Sequence, residues 1–112
     1  MIERMVLDYL EKELDVDVFM EHAPDMPKEY VLIEKTGSSR ENYIEHATIA
    51  LKSVSDSLYG AAELNEEVKK KMDEIVKLNQ ISRSKLNSDY NFTDPSTKKY
   101  RYQAIYDLVY FD

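Results

Sequence analysis

The sequence predicts an α+β fold, a two-layer sandwich with two helices packed on one face of a mostly antiparallel sheet, in the order α-β-β-β-α-β-β. Three observations predict it. Apolar residues recur every three or four positions in two separate segments. Strict alternation of apolar and polar residues fills the stretches between and after those segments. Breakers are scarce, with 2 Gly and 3 Pro, so the few turn signals stand out where the period changes.

The first helix covers residues 1–14. Ile2, Met5, Val6, Tyr9, Leu10 and Leu14 form its stripe, with Glu3, Arg4, Asp8, Glu11 and Lys12 between them. Val16 to Glu21 alternates and reads as a strand, with Val16, Val18 and Met20 on one side. Ala23 to Pro27 is a turn, because proline lacks a ladder donor and fixes φ. Tyr30 to Lys35 is the second strand, and the small residues from Thr36 to Arg40 read as a loop. A third strand runs over residues 42–54, with Ala47, Ile49 and Leu51 facing one way and Thr48 and Lys52 the other.

Ser55 or Asp56 is the expected N-cap of the second helix. Its stripe is Leu58, Ala61, Leu64, Val68, Met72, Ile75 and Val76, and acid precedes base along it, which suits the helix dipole. Ile81 to Phe92 reads as a strand with Leu86, Tyr90 and Phe92 on one face. Asp94 to Thr97 turns the chain into a final strand from Lys98 to Phe111. There Tyr100, Tyr102, Ala104, Tyr106, Leu108 and Tyr110 share a face opposite Lys99, Arg101, Gln103 and Asp107. The face turned away from the helices is expected to be half polar. Strands this long leave unpaired edges or protruding hairpins, which are templates for pairing with another chain.

At 112 residues the chain fits one domain, residues 1–112. Its net charge of −7 has the wrong sign for a general coat of DNA or RNA. It has no cysteine, which excludes a disulfide framework, a thiol nucleophile and a thiolate-bound zinc. The opening Met1-Ile-Glu-Arg4 has neither the basic start nor the apolar run of a signal peptide, and no segment approaches the ~20 apolar residues of a membrane helix.

No catalytic, cofactor or metal site is expected. His46 and Glu45 are strand neighbours and point to opposite faces, so the carboxylate does not orient the imidazole. His22 sits before a proline turn. The acids Asp15 and Asp17, and Asp89 near Asp94, lack the spacing of a calcium loop. Gly37 and Gly60 alone cannot write a phosphate-binding loop. The basic-aromatic run of Lys98, Lys99, Tyr100, Arg101 and Tyr102 resembles a stacking platform, but its tyrosines share the apolar strand face. The 9 tyrosines are the compositional outlier. A tyrosine-lined sheet face is either core or protein interface, since Tyr contributes large area at low entropy cost.

Three segments carry a family resemblance: the opening Met1 to Leu10, the run from Pro27 to Ser38, and Lys85 to Asp94 with Tyr100 to Ala104. Together they resemble small tail-module proteins of tailed bacteriophages and prophages, the tail terminator, tail-completion and head–tail joining proteins. The resemblance implies a non-enzymatic protomer of a homo-oligomeric ring, hexameric in that family, located in the tail or neck of a virion assembled in the bacterial cytoplasm. Such a ring caps the tail tube, meets head-connector proteins and lets DNA pass without specific contact. It implies no cofactor and no membrane. The alternative is a small acidic prophage-encoded binding or regulatory protein acting as monomer or dimer. For a ring, the candidate docking residues are Thr36, Ser38, Ser39, Arg40 and Glu41 of the small-residue loop, and Tyr90, Phe92, Lys99, Arg101 and Tyr110 of the Tyr-rich sheet.

Overall fold

Five strands form one sheet that carries both helices on the same face, in a computed structural model describing residues 1–97 and 99–111. In chain order the elements are α1 (Ile2–Glu13), β1 (Asp17–Phe19), β2 (Tyr30–Glu41), β3 (Ile44–Ser55), α2 (Leu58–Asp73), a 3-10 turn (Ile75–Lys77), β4 (Ile81–Asn91) and β5 (Tyr100–Tyr110). The expected α+β class and element order hold. The strands lie in the order β1-β2-β3-β5-β4, and all pairs are antiparallel except β1 with β2.

The stripes explain the packing. Ile2, Val6, Tyr9 and Leu10 of α1 and Leu64, Val68 and Met72 of α2 meet Val31, Ile33, Ala47, Ile49, Leu51, Ala104, Tyr106 and Leu108 of the sheet in one cluster. Burying an aliphatic side chain in such a layer contributes about 1.5–3 kcal/mol. Two tyrosine hydroxyls pin α2: Tyr9 of α1 donates to the Lys71 carbonyl at 2.7 Å, and Tyr106 of β5 donates to the Asp73 carboxylate at 2.8 Å. Burial pushes the Tyr9 hydroxyl up to about 12, with the nearby charges of Glu13 and Glu74 adding to it. A second, smaller cluster lies on the other face. There Tyr30, Leu32 and Val54 are covered by Phe19 and Met26, because the 20–29 connection folds back over the sheet.

The structure corrects five local expectations. The small-residue segment 36–40 is the second half of β2, not a loop. Its long partner β3 supplies the ladder, and a bulge between Lys35 and Gly37 absorbs Thr36. The strand expected over residues 16–21 shrinks to Asp17–Phe19 and pairs in parallel, since it meets β2 only at Tyr30–Leu32. The cap of α2 is Ser57, whose hydroxyl accepts from the Gly60 N–H at 2.9 Å, while Ser55 donates to Glu29 instead. The α2 stripe is shorter than expected: the helix ends at Asp73, Ile75 is buried from the 3-10 turn, and Leu58 and Val76 are exposed. Leu86 and Tyr90 do not share a face, because a bulge between Leu86 and Ser88 reverses the alternation. Leu86 pairs with the core residue Tyr106 and Tyr90 with Gln103 on the other side. The expected start of the last strand at Lys98 lies outside the described residues.

Candidate functional site: the open sheet face and the hairpin

With the helices on one face, alternation assigns the remaining side chains of β2, β3, β5 and β4 to the other. They form rows across the sheet. Starting at the hairpin end, the rows are Ser39, His46, Val109, Arg83; Gly37, Thr48, Asp107, Lys85; Glu34, Ala50, Ile105, Ser88; and Leu32, Lys52, Gln103, Tyr90. A last row holds Tyr30, Val54, Arg101 and Phe92, with the Phe92 N–H donating to the Arg101 carbonyl at 2.8 Å. The face is half polar, as the alternation predicts, and its charge is biased. Arg83, Lys85, Lys52 and Arg101 stand against Glu34 and Asp107, although the chain as a whole is acidic at −7.

The two ends of this face differ. At the far end the cations are engaged within the chain. The Arg101 guanidinium lies 4.8 Å from the Phe92 ring centre and its Nε donates to the Phe92 carbonyl at 2.7 Å. Lys52 approaches the same ring at 6.0 Å, and Tyr90 meets it edge-on at 6.0 Å. Gln103 donates to the Tyr90 hydroxyl at 2.6 Å. Lys99 sits over the Tyr30 ring at 5.6 Å. Contacts of this kind contribute about 0.5–1 kcal/mol each at exposed sites. Burial raises the Tyr30 hydroxyl's pKa, and the charge of Arg101 partly offsets it.

At the hairpin end a groove of about 460 Å³ is lined by Gly37, Ser39, His46, Thr48, Arg83, Lys85 and Asp107 among others. The Asp107 carboxylate faces Lys85 in the register but is taken by other donors, Thr48 Oγ1 at 2.9 Å and Asn87 Nδ2 at 3.0 Å. Among the described residues, no ion pair or hydrogen bond engages the side chains of Arg83, Lys85 or His46.

Beyond the groove the β2–β3 hairpin projects. Strands of 12 residues span about 40 Å, close to the 44 Å long axis of the molecule. Glu41 pairs with Ile44, which leaves a two-residue turn at Asn42 and Tyr43. Both are left-handed, with φ 52° and 67°, as the primed hairpin turn requires. Asn tolerates this region and Tyr does not. Tyr43 is nevertheless there, 94% exposed, with no packing to compensate.

The expected docking residues therefore divide into three groups. Thr36, Ser38, Ser39, Arg40 and Glu41 are on the exposed hairpin, where Arg40 is ion-paired with Glu45 and Thr36 Oγ1 donates to the Thr48 carbonyl at 3.4 Å. Tyr90, Phe92 and Arg101 converge at the far end of the open face, with Lys99 beside them on Tyr30. Tyr110 belongs to neither: it is 6% exposed in the main core, because its place in the alternation turns it under the helical layer. Tyr43, Arg83 and Lys85 were not among the expected residues. No local pattern marks Arg83 and Lys85, since their neighbours Ser82 and Ser84 are polar as well.

Glu45 and His46 do face opposite sides of β3, and Glu45 is occupied by Arg40. Among the described residues no cluster of His, Asp or Glu could hold a metal ion, and no helix is long and apolar enough to cross a membrane. No protein-family model matches the chain, and none of the curated proteins does. The fold and its open face thus define the class: a small α+β protein with one covered and one uncovered sheet face.

Proposed function

We propose that this protein is a non-enzymatic structural subunit of a phage or prophage tail, a tail terminator or head–tail joining protein working as a homo-oligomeric ring. The resemblance of Met1–Leu10, Pro27–Ser38 and Lys85–Asp94 to that family motivates the reading. The observation that carries it is the amount of unpaired sheet. β4 is an edge strand of 11 residues, and β2 beyond Leu32 has no strand on its outer side among the described residues. Long exposed edges are a liability in a lone monomer and are ordinarily shortened or covered. A strained, solvent-facing Tyr43 at the hairpin tip points the same way, since Tyr is favoured at interfaces and its conformation costs free energy in the isolated chain.

A ring of identical subunits needs a heterologous contact that closes by rotation. Two different unpaired edges on one sheet meet that requirement. In this reading the acidic balance of the chain keeps passing DNA from adhering to the ring. Negative-stain imaging of the purified protein, alone and with isolated tail tubes, tests the proposal. Rings with a central hole, free or seated on tube ends, are expected. Featureless small particles under both conditions contradict it.

A further inference from the structure

The open face and the helical layer carry patches of opposite charge. On the β4 edge, Arg83 and Lys85 project from the open face with no ion pair among the described residues, and the one carboxylate opposite them, Asp107, is held by Thr48 and Asn87. In the helical layer, Asp15, Glu29, Glu63 and Glu67 surround a cleft of about 180 Å³ between the end of α1 and the first turns of α2. Among the described residues only Glu29 of these four has a partner, the Ser55 hydroxyl at 3.1 Å. No described cation lines the cleft, although other acids on the same helices are paired: Glu13 with Lys71 and Lys77, and Glu66 with Lys69. Because the cations stand on the open face of the sheet and the acids in the helical layer on the covered face, the two patches cannot meet within a single chain.

We infer that the open face at β4 is a docking surface for a second copy of this chain, with Arg83 and Lys85 entering the acidic cleft lined by Glu63 and Glu67. The occupant is another copy because both halves of the complementary pair are on this molecule, on opposite faces of one sheet. That arrangement makes the contact heterologous, the type that propagates into rings or filaments. Charge pairing of this kind sets register and partner choice more than raw affinity, and it weakens with salt where the groups remain wet. This inference rests on the ring proposal and specifies its interface.

The test uses two variants of the full chain, Arg83→Glu with Lys85→Glu, and Glu63→Lys with Glu67→Lys. Each variant alone presents like charge at both surfaces. Circular dichroism checks that each is folded, and light scattering reads the mass. The wild type is expected to assemble, each variant alone to remain at the monomer mass at the same concentration, and an equimolar mixture to regain the assembled mass through alternating subunits. A wild type that assembles while both variants assemble equally well overturns this interface and leaves the ring proposal standing. Variants that stay monomeric even when mixed show that these residues do not face one another, which also overturns it. A wild type that is monomeric at every concentration overturns both the interface and the self-closing ring.

Discussion

Tyr106 of β5 places its hydroxyl 2.8 Å from the Asp73 carboxylate at the C-terminal end of α2, with the Lys69 carbonyl also in reach at 3.1 Å. The ring itself is fully buried in the core beside Val68 and Met72, so one residue provides apolar filling and a polar latch. It adds to the apolar cluster and to the Asn65 and Lys69 contacts with Asp89 that also tie the long helix to the sheet.

Tyr106→Phe keeps the filling and removes the latch. Asp73 is exposed and can be rehydrated, so the loss stays near that of one charged hydrogen bond, about 1–2 kcal/mol. Thermal unfolding followed by circular dichroism should show a Tm lower by about 5 °C. An unchanged Tm would mean the latch contributes nothing.

Alkaline pH acts on the same layer contacts. Burial raises the pKa of both Tyr9 and Tyr106, the former to about 12, and the Asp73 carboxylate reinforces the shift at Tyr106. In the unfolded chain tyrosine ionises near 10. Stability is therefore intact below pH 10 and falls as pH rises from there, because the unfolded state releases its protons first. The Tyr9 contribution alone amounts to about 2–3 kcal/mol by pH 12. Urea midpoints measured from pH 8 to pH 12 should decline only above 10, and Tyr9→Phe should flatten the decline.

Tyr43→Gly relieves the left-handed strain at the hairpin tip, since glycine adopts φ near 67° without penalty. The isolated protein should gain about 0.5–1 kcal/mol. If Tyr43 is retained for contact with a partner, the same variant should assemble less well than the wild type. Stability and assembly moving in opposite directions would separate the two roles. A loss of stability in the denaturant midpoint would contradict the strain argument.

Gly60→Ala should destabilise, although alanine is the better helix former. A Cβ at Gly60 would meet Ser55 Oγ at 2.4 Å and Ser57 Oγ at 2.8 Å, disturbing both the helix cap and the Ser55–Glu29 hydrogen bond. Loss of a cap costs about 0.5–2 kcal/mol, and the variant's unfolding midpoint should drop accordingly. A rise in midpoint would show that helix propensity outweighs the crowding.

The layered plan was legible in the sequence because the helical stripes and the alternation of β5, which sets Ala104, Tyr106 and Leu108 on one face, report directly on burial. What stayed hidden depended on neighbours distant in sequence. Thr36 to Arg40 has loop composition and is a strand only because β3 lies beside it. The bulge before Ser88 moves Tyr90 to the open face, and no local pattern announces it. Among the candidate site residues, Tyr90, Phe92 and Arg101 converge on the open face because of that bulge, not because of the local alternation. Arg83 and Lys85 stand out only once Asp107 is seen bonded to Thr48 and Asn87.

The central claim is self-assembly through unpaired sheet edges, and light-scattering mass across a hundredfold range of protein concentration tests it most directly. The mass should rise from the 13.2 kDa protomer to a plateau at a small fixed multiple, with the plateau lost at high salt. A mass that stays at the protomer value throughout the range, at low salt and high, would contradict it.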